Sequence, residues 1–208
     1  AQPDLADAYT DRLMRALADP FRALQNTSDP PGTPDHAQLR ARMLMRLWAQ
    51  GEAWACCRRG LQRWPDDDGL RLLKIHIAGE LDEPPLLDEA LAEADDLTGV
   101  WPWLVRAQAL RETDRFDEAL EAAQTALARA TETGDEADRV DPLLELAQVE
   151  AARAMGMPVN DERQRILRRA GDLADEARTL APRRDEPYEL LLDLYGANGP
   201  LSDAERFR

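Results

Sequence analysis

The only two cysteines are adjacent, Cys56 and Cys57, inside a helical pattern. Neighbouring helical positions point in different directions, so these thiols cannot tie distant elements together, and their expected role is that of small buried side chains. His36 and His76 are far apart in the chain and have no metal-ligand spacing around them. No metal and no other cofactor is expected. Carboxylates abound, but 41 acidic residues in a helical chain make close pairs without purpose, and nothing marks one as acid and another as base. No nucleophile stands with its base, and no glycine-rich phosphate loop is present. The expectation is a protein that is not an enzyme.

The 41 acidic residues face 26 basic ones, and every basic residue except Lys74 is Arg. A net charge of -15 repels phosphate, and the short clusters Arg58-Arg59 and Arg168-Arg169 read as solvated helix faces, so nucleic acid is not an expected partner. An acidic surface suits a protein or peptide partner that carries a basic patch. No apolar run approaches the length of a bilayer span, which argues against membrane insertion. The opening AQPDL suits either a mature end left after signal cleavage, hence a periplasmic or secreted protein, or a trimmed cytoplasmic one.

The elements that would position any site are helices. Of the residues, 44% are hydrophobic, mostly Ala and Leu with few β-branched or aromatic side chains, which favours an all-α fold. The clearest unit is Trp101 to Ala130. Trp103, Ala107 and Leu110, then Phe116, Ala119, Leu120, Ala123 and Leu127, form two apolar stripes of helical period joined by a polar turn. Two such helices cannot enclose a core alone, so similar hairpins must stack on either side.

The chain divides into an N-terminal helical segment (residues 1 to 25), a Pro-rich loop (26 to 35) and a row of about five helical hairpins (36 to 208). Asp35 with Gln38 reads as a capping pattern opening a helix that ends near Gly51, and a partner helix runs to Trp64. Next come Leu70 to Ala78, a loop holding Pro84-Pro85, and a helix over Leu86 to Leu97. Asp141-Pro142 reads as a cap with a first-turn proline, opening a helix over Leu143 to Ala154. A long helix follows from about Asp161 to Leu180. The last hairpin opens at Asp185-Glu186-Pro187, turns at Asn198-Gly199-Pro200 and restarts at Ser202, so the final repeat reads as incomplete. The run Asp88-Glu89-Ala90-Leu91 recurs as Asp117-Glu118-Ala119-Leu120.

These residues resemble the tetratricopeptide repeat, a helix-turn-helix unit of about 34 residues with the signature W-x2-L-G-x2-Y, A-x3-F and P. Trp103, Ala107 and Leu110 take the first-helix places in the central hairpin, and Tyr188, Leu191, Leu192 and Tyr195 take them in the last, with Gly199 at the turn and Ala204 beyond it. The repeats are degenerate. Arg106 stands where the pattern has leucine and Asp114 where the turn usually has glycine, while the second-helix alanines Ala53, Ala90, Ala119, Ala170 and Ala204 are spaced 37, 29, 51 and 34 residues apart.

The resemblance implies a right-handed superhelical solenoid of antiparallel helix pairs whose first helices line a concave groove. It implies partner-binding candidates at Met45, Trp48, Trp101, Leu104, Gln108, Arg111, Leu144 and Gln148. An unfinished last repeat would offer self-association through Tyr188, Leu191 and Tyr195. The implied function is a non-catalytic scaffold or adaptor that holds a partner's peptide or helix. The alternative is a regulatory or sensor domain of a larger protein.

Overall fold

A computed structural model describes residues 32–195. The N-terminal helical segment, most of the Pro-rich loop and the turn and restart after Tyr195 lie outside the described residues. Among those described, the fold is all-helical with no strand. Nine α-helices follow one another: α1 (Pro34–Arg46), α2 (Gln50–Arg63), α3 (Asp68–Leu81), α4 (Pro84–Glu93), α5 (Val100–Glu112), α6 (Phe116–Thr133), α7 (Val140–Met155), α8 (Asp161–Leu180) and α9 (Glu186–Tyr195), with a short 3₁₀ turn Glu136–Arg139 before α7. No helix among the described residues is long and apolar enough to cross a membrane. The chain forms two compact units that meet in sequence between Leu81 and Asp82.

In the first unit α1, α2 and α3 pack on one another. Thr33, rather than Asp35, caps α1 by accepting from the His36 amide at 3.3 Å, and Pro34 takes the first helical place, where its missing N–H costs nothing. The helix ends at Arg46, short of Gly51, because Trp48 turns the chain in the left-handed region at φ 60°. Asp67 caps α3: its Oδ1 accepts from the Leu70 amide at 2.8 Å and from Gln38 Nε2 at 2.9 Å, tying the start of α3 to α1. Gly60 lets α2 lie close to both neighbours, since a Cβ there would stand 2.9 Å from Leu70 Cδ1 and 3.4 Å from Ala37 Cβ. Cys56 and Cys57 are buried thiols outside any disulfide, and burial pushes the Cys57 thiol far up. Lys74 is buried with its Nζ 4.6 Å from the centre of the Trp54 ring.

In the second unit Pro84 and Pro85 open α4 instead of sitting in a loop, because proline in a first turn gives up only an orphan N–H. The pairs α5 with α6, α7 with α8, and α8 with α9 pack together, as do α6 with α7. The helices α5, α7 and α9 also touch in succession. Small residues permit the close approach: Ala119, Ala122, Ala123, Ala126 and Ala130 are buried along α6, and Ala170, Ala174 and Ala177 along α8. Leu167, Leu194 and Ala147 belong to one apolar cluster, and Val140, Leu143 and Leu144 to another against Ala177. Asn160 caps α8 as its side chain accepts from the Arg163 amide at 2.8 Å. Asp141 is not a cap, because the 3₁₀ turn carries the chain into α7 one residue earlier, at Val140.

The two copies of the Asp-Glu-Ala-Leu run play matching parts. Ala90 and Ala119 are both buried. Asp88 of α4 pairs with Arg115 at 2.6 Å, and Asp117 of α6 pairs with Arg153 of α7 at 3.3 Å, so each copy is clasped by an arginine from further along the chain. Alternate helices α1, α3, α5, α7 and α9 begin at Pro34, Asp68, Val100, Val140 and Glu186, 34, 32, 40 and 46 residues apart. The longer intervals contain the long helices α6 and α8.

Candidate partner-binding groove

The second unit contains a cavity of about 200 Å³ lined by α5, α7 and the start of α9. From α5 it is lined by Trp101, Leu104, Val105 and Gln108, which fall at i, i+3, i+4 and i+7 and so share one face. From α7 it is lined by Asp141, Leu144, Glu145 and Gln148, with the same spacing. Each α7 residue stands 40 places after its α5 counterpart, as Val140 does after Val100. Arg184, in the turn before α9, and Glu186, the first residue of α9, form the third side.

The polar side chains are held by one another. Arg111, one turn beyond Gln108, donates from Nε to Glu145 Oε1 at 2.8 Å. Burial raises the Glu145 carboxyl above its ordinary value, and the Arg111 guanidinium opposes that rise. Gln108 Nε2 donates to Glu112 Oε1 at 3.0 Å, while the buried Glu112 Oε2 has no hydrogen-bond partner among the described residues. Arg184 grips Asp141 at 2.6 Å and sets Nε and Nη2 on the two Glu186 oxygens at 3.2 and 3.0 Å. The Arg184 guanidinium holds the Glu186 carboxyl below its ordinary range.

Trp101 keeps 62% of its surface exposed at the edge of this cavity, whereas Leu104 and Leu144 are buried and form core as well as lining. Of the candidates in this unit, Trp101, Leu104, Gln108, Leu144 and Gln148 are thus brought together, with Arg111 engaged on Glu145 beside them. Met45 and Trp48 belong to the first unit. Met45 is half-buried on α1, and Trp48 is 85% exposed in the corner after it instead of on a helix face. Of the self-association candidates, Leu191 and Tyr195 are half-buried and Tyr188 is exposed. Leu191 and Tyr195 pack against the Leu167–Leu194 cluster, with the Tyr195 ring over Gly171, and Tyr188 donates to the Pro182 carbonyl at 3.1 Å.

Val105, Asp141, Glu145, Arg184 and Glu186 are the lining residues that periodicity alone did not single out. A signal for two of them, Asp141 and Glu186, is present in the chain. Pro102-x-Leu104-x-x-Ala107-Gln108 recurs as Pro142-x-Leu144-x-x-Ala147-Gln148. Trp101, Asp141 and Glu186 each precede a first-turn proline, Pro102, Pro142 and Pro187.

Arg106, at the place where the repeat pattern has leucine, is buried and turned away from the cavity lining to another task. Its Nη2 donates to the carbonyl of Ala94, the residue that ends α4, its Nη1 lies 3.6 Å from Asp95 Oδ1, and its guanidinium sits 4.9 Å from the Trp103 ring centre. A cation at a helix C-terminus satisfies a carbonyl that has no partner within the helix.

Charge is divided unequally between the units. Residues 1–81 hold 11 acidic and 11 basic side chains, and residues 82–208 hold 30 acidic and 15 basic, so the whole excess of -15 belongs to the unit with the cavity. Among the described residues no group of His, Cys, Asp or Glu side chains is disposed to hold a metal ion. Compared with protein-family models, with curated proteins and with solved structures, the chain finds no match.

Proposed function

We propose that the protein is a non-catalytic interaction module that holds a peptide or helix of a partner protein along the α5–α7–α9 face of its second unit. The observation that carries the reading is the pair of register-matched ladders, Trp101, Leu104 and Gln108 against Asp141, Leu144 and Gln148, which converge on one cavity. An exposed tryptophan beside apolar and carboxamide side chains is the composition of a contact centre. The cavity volume of about 200 Å³ is below the roughly 300–1,000 Å³ usual for small-molecule sites, and it suits a side chain of a partner better than a free metabolite.

We further read the helix pairs as degenerate tetratricopeptide-like units, in the second unit coiling as a right-handed solenoid. First helices spaced by 34 and 32 residues support this, as do the left-handed corner residues Trp48, Asp82 and Asp114, which repeat the same two intervals. Successive contact of α5, α7 and α9 is what stacked pairs produce.

Selection of a displayed random peptide library on the full chain tests the groove. Peptides enriched on the wild type should lose binding to a Trp101→Ala/Gln148→Ala variant of unchanged helix content. Equal capture by both proteins would sink the assignment.

A further inference from the structure

The structure assigns the occupant of this groove a chemical class: we infer that the cavity receives a cationic side chain, arginine or lysine, presented by a basic segment of the partner. The inference rests on the interaction reading above and adds the charge of the ligand. Its grounds are three.

The first is the local balance. Asp141, Glu145 and Glu186 line the cavity against a single lining cation, Arg184. Behind them Arg111 and Glu112 add one charge of each sign, and Glu112 lies close enough to Glu145 to push its proton affinity up. Four carboxylates against two guanidinium groups leave negative charge that a ligand cation would neutralise.

The second is the field around it. The entire -15 excess lies in the unit that holds the cavity, and a field of one sign over a cleft raises the local concentration of oppositely charged partners. The third is the geometry of reception. Arg184 already rests on Glu186 through two nitrogens and on Asp141 through one at 2.6 Å, so Glu186 accepts a guanidinium in forked geometry and Asp141 end-on. The exposed Trp101 indole adds an aromatic face of the kind cations favour. Arg184 is therefore an internal competitor that an incoming cation would displace or share carboxylates with.

The test uses the full chain labelled with nitrogen-15, with the Trp101 indole resonance identified from a Trp101→Phe variant. Four synthetic peptides of sequence acetyl-Ala-Leu-X-Leu-Ala-amide are titrated, X being arginine, lysine, citrulline or glutamate. The arginine and lysine peptides should shift the Trp101 resonance saturably. Citrulline, which keeps the shape and loses the charge, should bind at least tenfold more weakly, as should arginine on an Asp141→Asn/Glu186→Gln variant. Arg184→Gln should strengthen arginine binding several-fold. Citrulline or glutamate binding as tightly as arginine, or Arg184→Gln abolishing binding, would overturn the cationic assignment while leaving the groove reading intact if library peptides still require Trp101 and Gln148. Failure of all four peptides together with library binding that ignores Trp101 and Gln148 would overturn both.

Discussion

Arg111 on α5 and Glu145 on α7 are 34 residues apart in the chain and joined by two contacts, Nε to Oε1 at 2.8 Å and Nη2 to Oε2 at 3.5 Å. Their side chains keep only 23% and 12% of their surface, so the clasp ties α5 to α7 in a largely dry setting. Removing the cation leaves a mostly buried carboxylate without its charged partner. Arg111→Ala should destabilise the protein by about 2 kcal/mol. The double variant Arg111→Ala/Glu145→Gln should lose less than the two single changes summed. Urea unfolding of the four proteins measures the coupling, and strict additivity would remove the clasp from the account.

The same carboxyl makes a pH prediction. Burial raises the folded value of Glu145 above its ordinary 4.5, so between that value and the folded one the folded chain holds a proton that the unfolded chain has lost. Stability contributed by this group is therefore greatest below pH 4.5 and falls as pH rises through the window. Glu145→Gln does not titrate. The stability of the wild type relative to Glu145→Gln should decline from pH 4.5 upward, and urea midpoints that keep a constant separation across that range would contradict the assignment.

Three corners carry side chains in a backbone region that favours glycine, Trp48 at φ 60°, Asp82 at φ 51° and Asp114 at φ 57°. The strain is greater for the bulky indole, because aspartate tolerates this region and tryptophan does not. With 85% of its surface exposed, Trp48 gives up little packing when truncated. Trp48→Gly should raise stability by about 1 kcal/mol, and Asp114→Gly by less, after allowing for the greater freedom of glycine in the unfolded chain. Thermal unfolding checks both, and a lowered midpoint for Trp48→Gly would mean the indole makes contacts that outweigh its strain.

Close approach in the first unit depends on Gly60. A Cβ at this position would already stand 2.9 Å from Leu70 Cδ1, within reach of adjustment by a flexible side chain end, but a larger group would press on Ala37 as well. Gly60→Ala should be nearly neutral, as improved helix propensity offsets crowding, whereas Gly60→Leu should cost about 3 kcal/mol. Equal unfolding midpoints for the two variants would show that α2 can move away at no cost.

Much of the architecture is local and is legible in the residues. Apolar stripes of helical period mark α5 and α6, Asn160 and Asp67 mark helix starts, and Gly134 marks the end of α6 at φ 77°. The spacing of the helix starts is less legible. Alanine spacings are uneven because small residues serve packing wherever two helices come close, while helix starts and corner residues recur at 34 and 32 residues. Prolines were the main source of displaced boundaries, since Pro34 and Pro84-Pro85 start helices that composition alone would begin later.

By itself the sequence determined an all-helical chain, its breaks, its acidic excess and the face of α5 that carries Trp101, Leu104 and Gln108, all of which follow from periodicity and side-chain chemistry along a single element. Tertiary structure decided what those faces meet. It brought Asp141, Glu145, Arg184 and Glu186 opposite Trp101, buried Leu104 and Leu144 while leaving the indole exposed, and turned Arg106 onto the end of α4. A hydrophobic stripe states that a face must be covered, but the identity of its cover depends on helix-to-helix approach, and that is set by residues far apart in the chain.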